Sequence, residues 1–372
     1  MHLSRHTLLR MVWSAAIASM LVLLAGCASA AGLDGSASTL RPDGSQARNI
    51  FNLMIPVFWM ALVVFVVVEG LLIYTVFRFR RRPNSAIPAQ IHGNTQIEIA
   101  WTIAPALIAL VIAVLTFRTQ AENSALPTNN AVYITAVGHQ WWFEFQYPGQ
   151  GDEKPLVTAS DMYIPVGQPV VITLRAADVV HNFWVPRLAG KTYMIPGKTN
   201  FMTFTAEREG IYKAACSEFC GENHALMRFR VIAVSKDEYA RWVAAMRTAP
   251  PEAAAGAATL GGDPTRGKAL FLDAKKLCVT CHIIDGTSAK GNIGPNLTHY
   301  GSRLTVGSGL LPNTPENTAK WIKESGSIKS NNLMARQISP SWVQGNLSDQ
   351  DIADIVAYLF SMKTNITLPP EQ

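Results

Sequence analysis

Cys216-Ser217-Glu218-Phe219-Cys220-Gly221-Glu222-Asn223-His224-Ala225-Leu226-Met227 puts two thiols, an imidazole, a thioether and carboxylates into one short run. A second imidazole stands upstream, at His181 in Asp178-Val179-Val180-His181-Asn182-Phe183-Trp184. Thiolate and thioether are soft donors and imidazole is borderline, a set that suits copper. Two Cys and two His would also make a tetrahedral zinc site. Zinc leaves Met227 without a role, however, and the spacing is not that of a zinc finger. A mononuclear copper site with one Cys, two His and a weak axial Met leaves a thiol over. Two thiolates bridging two coppers use every donor. Each metal then takes both sulfurs and one imidazole, with Met227 as a weak axial ligand on one side and a backbone carbonyl on the other. We read the run as a dinuclear copper site, with mononuclear copper and zinc as its rivals.

The pattern His…Cys-x-Glu-x-Cys-x3-His-x2-Met resembles the CuA motif of subunit II of haem–copper cytochrome oxidases. The resemblance covers most of the chain and implies a cupredoxin fold around the copper. It implies as ligands His181, Cys216, Cys220, His224 and Met227, with Glu218 bound through its backbone carbonyl. It also implies that Trp141, in Gly138-His139-Gln140-Trp141-Trp142-Phe143-Glu144-Phe145, lies over the copper and passes electrons into it. Asp178 and the Glu218 side chain resemble acids that help order a divalent ion, magnesium, and water at the boundary with subunit I. The sequence departs from many relatives at Trp141-Trp142-Phe143, where Trp-Tyr-Trp is common, and at Lys191-Thr192-Tyr193, where Lys-Thr-Asp is common. Neither departure touches a ligand.

Outward from the ligands the chain alternates apolar and polar residues. Ala131–Val137, Val170–Leu174, Asn200–Thr205 and Phe229–Val234 are predicted strands separated by Gly and Pro, the pattern of a small β sandwich. The ligands fall on loops between strands, which a rigid sandwich can hold at fixed spacing. Without a ligand-spaced partner, His139 is read as structural.

The N-terminal part reads as export signal and membrane anchor. Arg5 and Arg10 precede the apolar run Met11–Ala25, and Leu24-Ala25-Gly26-Cys27 closes it. This is the form of a secretory signal, and Cys27 resembles the lipidated first residue of a bacterial lipoprotein. Phe51–Phe77 and Ile99–Phe117 are then long and apolar enough to cross a hydrocarbon core. Arg78, Arg80, Arg81 and Arg82 follow the first span, which places that loop in the cytoplasm and everything after Arg118 outside. Glu69, within the first span, is read as a contact to a partner helix. Glu98 matches the position where the resembled family carries an acid at the mouth of a proton channel into subunit I.

Beyond a linker rich in Pro, Ala and Gly lies a second redox module. Cys278-Val279-Thr280-Cys281-His282 is a Cys-x-x-Cys-His haem-attachment signature, with the thiols bonded to haem c and His282 as proximal iron ligand. Met334 resembles the distal ligand of small class I cytochromes c, although Ala335 stands where relatives carry Pro. Met362 is its rival, at the end of the predicted helix Leu347–Phe360. Ser348 caps that helix, and from Asp351 through Ile352, Ile355, Val356 and Leu359 runs one stripe at helical spacing. Gly294-Pro295-Asn296-Leu297 resembles the segment whose Pro carbonyl accepts a hydrogen bond from the haem histidine.

The five cysteines are then accounted for by one lipid anchor, two copper ligands and two haem thioethers. A formal charge of +6 partly reflects the arginine cluster, and no nucleic-acid motif, phosphate loop or nucleophile–base pair is found. The expected architecture is a multidomain membrane protein. It comprises a signal at 1–26, a two-span transmembrane hairpin at 51–118 and an all-β cupredoxin-like sandwich at 131–247. A linker at 248–262 leads to an all-α class I cytochrome c domain at 263–364. The resemblance implies the electron-input subunit of a proton-translocating terminal oxidase in the bacterial plasma membrane, multi-pass, with both redox domains on the outer side. Its partners would be subunit I, subunit III, and a donor such as a cytochrome c or a quinol–cytochrome c reductase. An electron-input subunit of a nitric-oxide reductase is the alternative. A membrane copper chaperone is disfavoured because it has no use for haem.

Overall fold

The computed structural model describes residue 14 and residues 37–83, 87, 89–127, 129–149, 151–248, 260–364 and 366–371. The expected lipid-bearing Cys27 and most of the linker lie outside the described residues. The predicted spans are two long helices, α1 (Ser45–Arg78) and α2 (Thr95–Ser124). They leave Val63 to Val68 and Ile97 to Val114 largely uncovered, as helices that meet lipid or partner helices would. Asn94 caps α2, its side chain accepting from the amides of Gln96 and Ile97. At the outer end, Asn49 donates to Asn123, and Gln46 donates to the carbonyls of Asn123 and Thr203. Just before α1, the buried Asp43 pairs with Arg187 and Arg208.

Ten strands among the described residues form a sandwich of two five-stranded sheets. These are β1 (Val132–His139), β2 (Trp142–Tyr147), β3 (Leu156–Ala159), β4 (Asp161–Pro165), β5 (Val170–Ala176), β6 (His181–Trp184), β7 (Lys191–Met194), β8 (Asn200–Phe204), β9 (Gly210–Ala215) and β10 (Arg228–Val234). One sheet runs β3-β2-β1-β5-β8 and the other β4-β10-β9-β6-β7. In β2 the side chains of Phe143, Phe145 and Tyr147 point inward and alternate with Trp142, Glu144 and Gln146, the two-residue period of a half-buried strand. Phe143 and Phe183 close on Phe229 from both sheets, with ring centroids 4.5 and 4.8 Å away. Helix α3 (Lys236–Arg247) seals one end by stacking Trp242 on Tyr163.

The C-terminal domain is helical: α4 (Pro264–Leu272), α5 (Cys278–Cys281), α6 (Pro315–Ile328), α7 (Leu333–Gln337), α8 (Pro340–Asn346) and α9 (Asp349–Ser361). As expected, Ser348 caps α9, in a reciprocal box with Asp351, and Ile352, Ile355, Val356 and Leu359 are buried. Helix α4 crosses α9 at Gly267, where a Cβ would lie 1.9 Å from the Asp354 carbonyl oxygen. Backbone contact this close requires glycine. The helical domain sits against the sandwich. The Leu304 amide donates to the buried Asp161 carboxylate at 2.8 Å, and Ser308 exchanges hydrogen bonds with the Arg228 backbone.

Candidate metal centre and haem site

The cysteine run forms a loop between β9 and β10. It is pinched at its base where the Cys216 amide donates to the Met227 carbonyl at 3.0 Å. Cys216, Cys220 and Met227 are buried, while Phe219 at the loop's tip is 77% exposed. The two sulfurs lie 3.8 Å apart, much too far for a disulfide, whose bond is about 2.05 Å. Cys220 Sγ lies 3.7 Å from His224 Nδ1 and 3.9 Å from Met227 Sδ. Cys216 Sγ lies 3.3 Å from the Glu218 carbonyl oxygen. His181, at the start of β6, completes the cluster, its ligand atom within 4.8 Å of both sulfurs. A hydrogen bond from Cys220 draws the Cys216 thiol down to about 3, and Cys220 is raised in return.

His181 is buried completely, yet its Nδ1 has no hydrogen-bond partner. A buried polar atom is rarely left so. Its Nε2 is paired with Asp178 Oδ1 at 2.7 Å, which fixes the tautomer and orients Nδ1 as a ligand. Both carboxylate oxygens of Asp178 are engaged, because the amides of Val179 and Gln140 donate to it at 2.7 and 2.6 Å. Burial pushes the Asp178 pKa up, but these donors outweigh it and hold the acid below the usual carboxylate range. An imidazole nitrogen without a hydrogen-bond partner, grouped with two thiols free of any disulfide and with a thioether beside them, is a donor set that fits copper.

The haem signature lies on α5, and the described cysteines Cys278 and Cys281 are free, as are Cys216 and Cys220. Cys278, Cys281 and His282 line a largely apolar cavity that Met334, carried on α7, also lines. Met362 is buried in the helical core and does not line that cavity. The Pro295 carbonyl accepts from His282 Nδ1 at 2.9 Å, which leaves Nε2 free to bind iron. Burial lowers the His282 pKa to about 4, so the ring is neutral, as a ligand must be. Arg303 brings a cation to the cavity wall, suited to the propionates of a haem. A porphyrin with two thioether links and two axial ligands fits these residues.

Trp141 and Trp142 also line the haem cavity. The Trp141 indole N–H donates to the Cys220 carbonyl at 3.0 Å, and Gln140 Nε2 donates to the same oxygen at 2.8 Å. Gly221 takes φ +113° under the Trp141 ring, where a Cβ would be 3.2 Å from it. One indole therefore touches the copper loop and the haem cavity together. His139 stacks on Trp142 with centroids 4.3 Å apart. Glu98 lies in the first turn of α2 and accepts from the Asn94 amide, at the end of the hairpin away from the ligand loop. Sequence reasoning missed Gln140, Lys329 and Arg303. Only Gln140, next to Trp141, carried a local signal.

Family comparisons agree with this layout. Residues 34–119 match the transmembrane domain of cytochrome c oxidase subunit II, residues 149–234 its periplasmic domain, and residues 264–363 cytochrome c. The cytochrome c oxidase subunit 2 of Alkalihalophilus pseudofirmus is 37% identical over 333 residues, which span 88% of this chain and 91% of that one. The subunit 2 of Bacillus sp. strain PS3 is 32% identical over 364 residues, 92% of this chain and 95% of that one. Among solved structures, the periplasmic domain of subunit II from Bradyrhizobium japonicum is 30% identical, with a TM-score of 0.30, covering 32% of this chain and 95% of that one. The membrane hairpin, the outer copper-type sandwich and the haem-binding helical domain thus have one common reading: the chain belongs to the cytochrome c oxidase subunit II family, as a subunit of an oxidase complex that carries its own cytochrome c domain.

Proposed function

We propose that this chain is the electron-input subunit of a proton-translocating haem–copper oxidase in the bacterial plasma membrane, with its redox domains on the outer side. Haem c and a dinuclear copper centre, when bound, supply the electron carriers that connect an external donor to subunit I, where oxygen is reduced to water. The chain's own residues hold those carriers and fix their relation. Cys278 and Cys281 would attach the haem, with His282 and Met334 as axial ligands. Cys216 and Cys220 would bridge the copper pair, with His181, His224, Met227 and the Glu218 carbonyl completing the ligands. Asp178 orients His181 through its ring nitrogen. Asp178 and the Glu218 side chain are proposed for a magnesium ion at the subunit I boundary, Glu98 for proton entry, and Cys27 for lipidation.

The observation that carries this reading is Trp141, which donates to the copper loop while lining the haem cavity. It gives the two sites one shared side chain, so a tethered haem acts at high effective concentration without diffusional encounter. The test is substitution of Cys216→Ser or Cys220→Ser in the purified complex. Each should abolish the mixed-valent copper spectrum and leave the haem spectrum intact. Survival of the native copper spectrum in either variant would refute the bridge, and nitric-oxide turnover without oxygen uptake would refute the oxidase reading.

A further inference from the structure

Lys329 is 3% exposed and has no carboxylate among the hydrogen-bond partners of its ammonium. Its Nζ donates to the carbonyl oxygens of Trp141 at 2.6 Å, Leu226 at 3.1 Å and Gly307 at 3.4 Å. The first acceptor belongs to the tryptophan between β1 and β2. The second lies in the copper loop, one residue before Met227, and the third lies in the helical domain. An ammonium has three donors, and here they join two domains. Burying an amine among neutral carbonyls is costly and draws the Lys329 pKa down to about 7, and an apolar side chain of similar length would fill the space without that cost. Three hydrogen bonds from one buried amine across the boundary between two domains therefore call for an explanation beyond packing.

The neighbouring hydrogen bonds extend the same connection. Ser330 Oγ donates to Glu222 at 2.5 Å, and the Ser330 carbonyl accepts from the Asn223 side chain, both in the copper loop. In the other direction, Asn332 Nδ2 donates to the Lys329 carbonyl at 2.8 Å. Asn332 Oδ1 accepts from the Ala335 amide and so caps α7, the helix that carries Met334. A continuous hydrogen-bonded path thus runs from the Trp141 carbonyl through Lys329 and Asn332 to the helix of the proposed distal haem ligand.

We infer that Lys329 is a positioning residue that fixes the haem cavity against the copper loop and so sets the separation across which the electron passes. Tunnelling falls steeply with distance, so a clamp at this boundary governs the transfer rate without touching either metal. The inference rests on the electron-input reading above. It is tested in the full chain within the assembled complex by Lys329→Met, with two measurements. The first is the rate of electron redistribution from haem to copper after flash reduction. The second is amide hydrogen exchange over residues 222–228 and 304–312, which needs no electron transfer. The expected result is a rate lower by on the order of tenfold and faster exchange at those segments, with both absorption spectra unchanged. An unchanged rate would overturn the inference. So would a slowed rate with an altered copper or haem spectrum, because Lys329 would then belong to the structure of one site. If Lys329→Met does not assemble, Ser330→Ala decides: a smaller slowing with faster exchange supports the clamp, and no change in either overturns it. Metal analysis of the wild-type complex separates this from the parent reading, since an absent copper pair would sink that reading while the exchange measurement still reports on the clamp.

Discussion

At the scale of single residues, the proposed ligands were legible because their chemistry is local. Cysteines, histidines and methionines at fixed spacing state their own use, and the fold only has to bring His181 to the loop. Met334 and Met362 were both open from sequence, and only Met334 lines the haem cavity. Met334→Ala is expected to convert the haem from low-spin to a form that binds carbon monoxide and to lower its potential, since thioether ligation raises it. Met362→Ala should leave the visible spectrum unchanged. Absorption spectra with and without carbon monoxide check both. The residues that sequence reasoning missed are those whose partners are far away along the chain. Lys329 and Trp141 are 188 residues apart, and Gln140 and Cys220 are 80 apart. A lysine or glutamine carries no spacing pattern that marks such a partner.

At the scale of elements, alternation and helical spacing located four of the ten sandwich strands, β1, β5, β8 and β10, and the C-terminal helix to within a few residues. The membrane helices extend beyond the predicted spans at both ends, because capping and the contacts of Gln46, Asn49 and Asn94 continue the helix past the apolar run. The short strands β3, β6 and β7 offered only four residues each, too few for a period to register. The parallel pairing of β1 with β5 was likewise not legible, since it is decided by contacts between distant segments. The crossing of α4 and α9 makes a sharp prediction. Gly267→Ala places a methyl against the Asp354 backbone and should destabilise the haem domain by about 1–3 kcal/mol or more. Gly345→Ala, in α8 with open space around it, should be neutral or slightly stabilising. Thermal unfolding followed at the haem absorption band distinguishes them.

At the scale of the whole molecule, the sandwich and the helical domain meet through Asp161 and Leu304 as well as through Lys329. Burial raises the Asp161 pKa to about 6, against the opposing effects of the Leu304 amide and of Arg303 and Arg230. The folded protein therefore holds this proton more tightly than the unfolded chain, whose aspartate titrates near 3.8. The stabilisation is fully present below about pH 4 and is lost as pH rises to about 6, a change of roughly 3 kcal/mol. Asp161→Asn keeps an acceptor for Leu304 and removes the charge. It should raise the unfolding midpoint at pH 8 relative to wild type and have little effect at pH 4, as read by melting curves across that range. A constant difference at all pH values would show that the carboxylate is not the cause.

The pairing of Asp43 with Arg187 and Arg208 bears on how the chain stands on the bilayer. Swivelling the sandwich about the top of the first helix would strip a buried anion of both cations, a penalty of several kcal/mol. The exposed tip at Phe219 is thereby kept at one height and one heading relative to the first helix. On the electron-input reading proposed above, an acceptor that docks on that tip would find it already aimed.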